Sequence, residues 1–186
     1  TTPDAPEVQA FLAQMVAADL QDAVVESTSH GLAQHRVTAC EFDVAVVTNI
    51  THEHLDYHGT FEAYRDAKAL LFRTLSHSAR KPGVLKVAVY NADDPSYELL
   101  RALPADVQLC YALQRPADVT ADQISSSPAG LHLRVRLPDG QMQIDAPLVG
   151  RYNAANILAA VTVAHALGVQ PEAMVAGIGA MRGVAG

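Results

Sequence analysis

The chain has 186 residues, 13 basic and 20 acidic side chains, a formal charge of −7 and 49% hydrophobic residues. That apolar content excludes a disordered chain and suffices for one sizeable core, and the acidic balance excludes a protein that coats nucleic-acid phosphates. Two cysteines, Cys40 and Cys110, are too few for a disulfide scaffold and point to a reducing, cytoplasmic setting, while the longest weakly polar stretch, 157–169, carries Thr162 and His165 and is too short for a membrane span.

The chain opens on Thr1-Thr2-Pro3 without a Met, the expected mark of processing or of a piece of something longer, and no signal peptide is visible. Thr2-Pro3-Asp4 predicts a helix start, with Thr2 as cap and Pro3 at the first helical position. Val8, Phe11, Leu12, Met15 and Val16 then recur at helical spacing. Apolar runs at 22–28, 42–49, 84–91 and 107–111 predict strands, and the patterns at 61–76 and 95–103 predict helices between them. Such alternation indicates an α/β domain with a mostly parallel sheet. Over 118–149 the pattern changes: Leu131, Leu133, Val135 and Leu137 alternate with polar residues, and Pro138-Asp139-Gly140 turns the chain toward Met142 and Ile144. That predicts an antiparallel hairpin appended to the sheet. Two helices follow, near 153–167 and 171–181, and the whole is expected to be one domain.

Ligands of open parallel sheets collect beyond the carboxyl ends of the strands. Here those ends read Glu26-Ser27-Thr28, Thr48-Asn49 and Asn91-Ala92-Asp93-Asp94. Five of the eight histidines (His30, His35, His52, His54 and His58) fall in one stretch. The run from His52 to His58 is rich in metal-ligand types, and a zinc hydrolase using His52, His54 and Asp56 is one reading of it. Against that reading, the H-x-H-x-D-H motif of such enzymes meets Tyr57 at its last position, with His58 one residue late. On the next helix Phe61, Tyr64, Lys68, Leu71 and Leu75 follow a 3-4-3-4 spacing, which places one of only three lysines on an apolar stripe. Such a lysine either snorkels its ammonium to water or is a partly buried amine able to take up carbon dioxide as an anionic, metal-binding carbamate. Asn153 and Asn156 stand at i and i+3 on a starting helix, where an amide suits either an adenine edge or a cap.

Together, Thr1-Thr2-Pro3, the run Glu26-Ser27-Thr28-Ser29-His30-Gly31-Leu32-Ala33-Gln34-His35-Arg36, and Thr48-Asn49-Ile50-Thr51-His52-Glu53-His54-Leu55-Asp56-Tyr57-His58-Gly59 resemble the Mur ligase family. Within it they are similar to the branch that adds the third peptide residue, diaminopimelate or lysine, to UDP-N-acetylmuramoyl-L-alanyl-D-glutamate. Asn91 to Asp94 and Gly150 to Asn156 extend the likeness over essentially the whole chain. The resemblance implies the central ATPase domain of a three-domain enzyme. In that enzyme ATP and Mg2+ activate a D-glutamyl carboxylate as an acyl phosphate, which the amine of the incoming amino acid then attacks.

By position, the resemblance implies that Glu26 and His54 bind magnesium and that Lys68 is the carbamylated lysine supporting a second metal. It implies that Thr1, Thr2, Thr28, Gln34 and Arg36 hold the UDP-muramoyl-dipeptide, and that Asn49, Asn153 and Asn156 lie on the adenine side. Arg36 suits a carboxylate or phosphate because its fork donates two parallel hydrogen bonds. One departure is an absence: the family's phosphate loop, G-x-x-G-K-S/T, occurs nowhere in the 186 residues. The expectation is a central domain cut just after that loop, with the first strand of its sheet lost, ending where the C-terminal domain would begin and inactive alone. A degenerate, non-catalytic binding module is the other alternative.

Overall fold

The computed structural model describes residues 2–51 and 55–182. The chain folds as two compact units: residues 1–45 with 50–86, and residues 46–49 with 87–186.

The first unit carries α1 (Ala5–Ala17), α2 (Ser29–Ala33), α3 (Leu55–His58) and α4 (Phe61–Leu75). Helix α1 starts two residues later than the Thr2-Pro3 pattern predicts. Asp4 is its N-cap, Pro6 sits in the first turn, and the Asp4 N–H donates to Glu7 Oε2 at 3.4 Å. Thr2 is drawn elsewhere, because its hydroxyl is needed by the 26–28 segment. The run 22–28 is not a strand, and Val24 is 99% exposed. A strand needs a neighbouring ladder for its backbone groups. Here Thr2 takes that place, accepting from the Thr28 N–H at 2.9 Å and donating to the Glu26 carbonyl at 2.9 Å.

Helix α4 ends within a residue of its prediction and packs on α2 and α3. Tyr64 and Leu75 of its apolar stripe are buried; so are Ala67, Ala69 and Phe72, which the 3-4-3-4 spacing leaves out. The buried arc is therefore wider than the stripe, in keeping with a core-facing helix. The same unit holds a buried cation. Lys86 is fully buried, and its Nζ donates to the Phe42 carbonyl at 2.8 Å and to Asp43 Oδ1 at 3.1 Å, while Lys81 pairs with the other carboxylate oxygen. Burial pushes the Asp43 carboxyl up, but the two ammonium groups overcome that and hold it below the usual carboxylate range.

The second unit is built on a sheet whose strand order runs from the Val46 end of β1 (Val44–Val46) through β2 (Val87–Asn91), β3 (Val107–Ala112), β4 (Val119–Ser127) and β5 (Gly130–Leu137) to β6 (Gly140–Ala146). Pairs β2–β3 and β3–β4 are parallel; β4–β5 and β5–β6 are antiparallel. The expected antiparallel appendage is thus present as a meander, joined to the parallel strands through β4. Leu131, Leu133, Val135, Met142 and Ile144 face inward by strict alternation and are buried; each fully buried aliphatic side chain contributes roughly 1.5–3 kcal/mol. Gly130 is required where β5 begins: its φ is +141°, and a Cβ there would stand 2.3 Å from the Ala146 carbonyl oxygen.

Helix α5 (Tyr97–Leu100) is shorter than predicted, whereas α6 (Tyr152–Ala166) and α7 (Pro171–Gly179) lie where the periodicity places them. Helix α6 packs on β2 to β5 and α7 on β6. The architecture is the α/β class expected, a mostly parallel sheet flanked by helices with an antiparallel extension. Both cysteines are free, and no helix among the described residues is long and apolar enough to cross a membrane.

On the outer face of the meander, Arg134 grips Asp122 with two hydrogen bonds, at 2.6 and 2.9 Å, and Arg136 adds a third at 2.8 Å. Those arginines pull the Asp122 carboxyl down to about 2. A depressed folded-state value means that the pair's contribution is complete above about pH 4, where an unfolded Asp is ionised, and is lost as pH falls toward 2. The gap in urea midpoint between wild type and Asp122→Asn should therefore close over that window. In the first unit, Lys86→Ala should lower the unfolding free energy by about 1.5–3 kcal/mol, the worth of hydrogen bonds made by a charged group. It should do so as a shift in urea midpoint at constant m.

Candidate functional site

In the first unit the site is organised around the hydroxyl of Thr2, which is buried. Besides its bonds to Glu26 and Thr28 backbone, Thr2 Oγ1 lies 3.1 Å from Thr28 Oγ1. Thr28 in turn caps α2, its Oγ1 accepting from the Gly31 N–H at 3.1 Å. Gly31 lies directly against Thr2, so that a Cβ on it would come within 2.8 Å of Thr2 Cβ. Arg36 closes the loop, Nη1 donating to the Thr2 carbonyl at 2.8 Å and standing 3.3 Å from Asp4 Oδ1.

The other edge of Arg36 meets Gln34. Nε and Nη2 both donate to Gln34 Oε1, at 2.9 and 2.7 Å, and Gln34 Nε2 donates to the Tyr57 hydroxyl at 3.1 Å. Four of the residues expected to hold substrate (Thr2, Thr28, Gln34 and Arg36) are therefore joined in one hydrogen-bonded network; Thr1 lies outside the described residues. The two parallel donors of Arg36 that the sequence suggests for an anion are spent on Gln34.

Tyr57 leads into a cluster of rings. It packs on His30 at 4.1 Å between centroids and meets His58 edge-on at 4.8 Å. His58 contacts Tyr64 at 5.5 Å, and Lys68 Nζ lies 6.0 Å from the centre of the Tyr64 ring. Lys68 is half-buried on the flank of the α4 core face, consistent with the inward placement read from its spacing. Glu26 is exposed beside the Thr2 contact. His54 and His52 lie outside the described residues, and among the described residues no group of three or more His, Cys, Asp or Glu is placed to hold a metal. Asp56, the third member of the zinc reading, is exposed on α3.

In the second unit the polar strand ends are tied to one another. Asn91 Nδ2 donates to the Thr48 carbonyl at 2.8 Å, and the Tyr111 hydroxyl donates to the Val47 carbonyl at 3.1 Å. Burial pushes the Tyr111 phenol well up, keeping it a neutral donor. Asp93 collects the N–H groups of Leu113, Gln114 and Arg115 at 2.7, 3.2 and 3.1 Å, and Asp94 receives that of Ser96 at 2.7 Å. The Asn91–Asp94 motif thus fixes loops. It holds the chain end that presents Asn49, which is exposed. Asn153 and Asn156 are joined, Asn156 Nδ2 donating to Asn153 Oδ1 at 3.1 Å, and Asn153 Nδ2 turns back to the Val149 carbonyl at 3.0 Å. Asn153 lies inside α6 and does not cap it, since the cap position is Arg151.

Tyr57 and Tyr111 are the residues that the sequence reading misses. Tyr57 stands where a metal motif fails to match, and Tyr111 is hidden in an apolar strand; only the hydrogen bonds of their hydroxyls mark them.

The chain matches the Mur ligase middle domain over residues 1–164. It is 45% identical over 193 residues to the UDP-N-acetylmuramyl-tripeptide synthetase of Roseiflexus sp. (strain RS-1), covering all of this chain and 38% of that protein. It is 43% identical over 186 residues to the UDP-N-acetylmuramoyl-L-alanyl-D-glutamate--2,6-diaminopimelate ligase of Gloeobacter violaceus, covering all of this chain and 36% of that one. A solved structure of a ligase of the latter name superposes with a TM-score of 0.87 at 34% identity, over all of this chain and 38% of the other. The chain belongs to the Mur ligase family, as its middle domain, and spans little more than a third of the length of these relatives.

The contact between Gly31 and Thr2 carries a prediction. In Gly31→Ala the overpacking cost of about 1–3 kcal/mol exceeds the 0.5–1 kcal/mol or so that alanine gains in a helix. The variant should therefore melt at lower temperature in a thermal denaturation scan.

Proposed function

We propose that the full-length protein is an ATP-dependent ligase that joins the third amino acid, diaminopimelate or lysine, to UDP-N-acetylmuramoyl-L-alanyl-D-glutamate in cytoplasmic peptidoglycan precursor synthesis. The observation that carries this reading is the likeness to relatives so named at 43–45% identity over the whole chain. The network of Thr2, Thr28, Gln34 and Arg36 supports it, because the residues assigned to substrate are held together and not scattered.

In this reaction a D-glutamyl carboxylate oxygen attacks the γ-phosphorus of ATP and ADP leaves. The amine nitrogen of the amino acid then attacks the acyl carbon, phosphate departs, and the nitrogen loses a proton to leave an amide. Thr1, Thr2, Thr28, Gln34 and Arg36 hold the UDP-muramoyl-dipeptide, whose anionic groups suit a guanidinium and amide donors. Asn49, Asn153 and Asn156 are assigned to adenine, and the Asn153–Asn156 bond presets the direction of one amide for that task.

Magnesium fits the donors available, since the carboxylate of Glu26 and the oxygens of a Lys68 carbamate are the hard ligands it prefers. Glu26, His54 and Lys68 would hold it, and its role when bound is to offset the charge gathered by phosphates and carboxylate. Lys68 becomes such a ligand when its neutral amine adds to carbon dioxide and loses a proton.

The test is ADP release by the full-length ligase. Sustained release is expected only when ATP, magnesium, the UDP-muramoyl-dipeptide and the amino acid are all present, and ADP formation without the dipeptide would overturn the reading. The 186-residue chain, which contains no G-x-x-G-K-S/T loop, should release none at an enzyme-like rate. Lys68→Ala should lower turnover by about 10–100-fold, the range for a supporting metal-site group, and recover in part with an added small carboxylate. Unchanged turnover would end the carbamate role.

A further inference from the structure

The hydrogen-bond count at Gln34 and Arg36 leaves a definite remainder. A guanidinium has five N–H donors; Gln34 takes one from Nε and one from Nη2, and the Thr2 carbonyl and Asp4 are both within reach of Nη1. One Nη2 proton is left. Gln34 Nε2 has two protons and spends one on Tyr57. Because the Tyr57 hydroxyl accepts that bond, its own proton is left to donate. Tyr57 is 47% exposed and Gln34 is exposed, so these donors are open to a ligand. The phenol cannot swing freely, since His30 packs on its ring and His58 meets it edge-on.

We propose that Tyr57 is a further substrate-binding residue, which completes with Gln34 and Arg36 a three-donor array for an anionic group of the UDP-muramoyl-dipeptide. The inference rests on the proposed ligase activity. Neutral acceptors such as a sugar hydroxyl or an amide carbonyl would not need a guanidinium at the array's edge. A carboxylate or a phosphate uses all three donors, each to a charged oxygen, and such bonds are about twice as strong as neutral ones. Besides the carboxylate that reacts, which must stay free to attack ATP, the dipeptide offers two sources of that chemistry, the D-glutamyl α-carboxylate and the UDP diphosphate. Tyr57 also fixes its neighbour: with Nε2 held by the phenol, Gln34 keeps its carbonyl on Arg36, so the guanidinium is already aligned when the anion arrives.

Tyr57→Phe in the full-length ligase keeps the stacked ring and removes the hydroxyl. Its KM for the UDP-muramoyl-dipeptide should rise about five- to tenfold, the order of one hydrogen bond. KM for ATP and the melting temperature should stay at wild-type values. An unchanged dipeptide KM overturns the proposal, and so does a rise matched in the KM for ATP with a fall in melting temperature, because that pattern is a structural role. Repeating the pair of measurements with the α-carboxamide analogue of the dipeptide separates the two sources. A penalty that vanishes on the amide assigns the array to the carboxylate, and one that persists assigns it to the diphosphate. If the wild-type enzyme neither binds nor turns over the dipeptide, the ligase reading fails and the role of Tyr57 falls with it. A wild-type enzyme that is active while Tyr57→Phe behaves identically overturns the proposal alone.

Discussion

The first unit depends on one hydroxyl. Thr2 Oγ1 donates to the Glu26 carbonyl, accepts from the Thr28 N–H and lies beside Thr28 Oγ1. Its backbone carbonyl takes Arg36, and its side chain lies where any residue larger than glycine at 31 would collide. A buried hydroxyl costs free energy unless it is hydrogen-bonded, so this one fixes its surroundings. The chain entering α1, the extended 26–28 segment, the cap of α2 and the guanidinium of Arg36 are all set by the same atom or its own carbonyl. Removing it would leave two backbone groups, the Glu26 carbonyl and the Thr28 N–H, to find new partners at once.

That dependence explains where reading the sequence succeeds and where it does not. Periodicity locates α4, α6, α7 and the alternating β5 and β6 to within a residue or two, because each is specified by its own buried face. The run at 22–28 has the composition of a strand and is not one. Composition sets what a segment tolerates, but a strand exists only where a second ladder meets it. The start of α1 fails for a related reason. Thr2-Pro3 has the form of a cap and first turn, yet Asp4 with Glu7 offers the same service two residues later, which releases Thr2 for a tertiary role invisible to local pattern.

Among the proposed site residues, a motif gives the residue type that suits a ligand but not its orientation. Arg36 reads as a fork for an anion, but the fork faces Gln34, and what remains for a ligand is decided by counting hydrogens in three dimensions. Asn153 reads as either a cap or an adenine contact, and the structure removes the first by turning its amide back to Val149 inside α6. The Asn91–Asp94 motif sits at strand ends, where ligands collect, yet its side chains are taken up by backbone groups. It supports a site by fixing loops, a role that polarity at strand ends does not distinguish from ligand contact.

The histidine-rich run carries the same distinction furthest. Density of metal-ligand types after a strand suggests ligation, but a ligand must present a ring nitrogen outward to the ion, with its other nitrogen held by a partner. His58 instead has three aromatic or imidazole rings within 5.5 Å of its own, those of His30, Tyr57 and Tyr64. Its edge-on contact with Tyr57 gains from the opposed ring quadrupoles, which is a packing role. His30 packs on Tyr57 with the two rings tilted. Among the described residues, the rings of His30, Tyr57, His58 and Tyr64 link α2, α3 and α4. Of the five histidines, His54 is the one proposed as a magnesium ligand, and that proposal rests on family position and not on crowding.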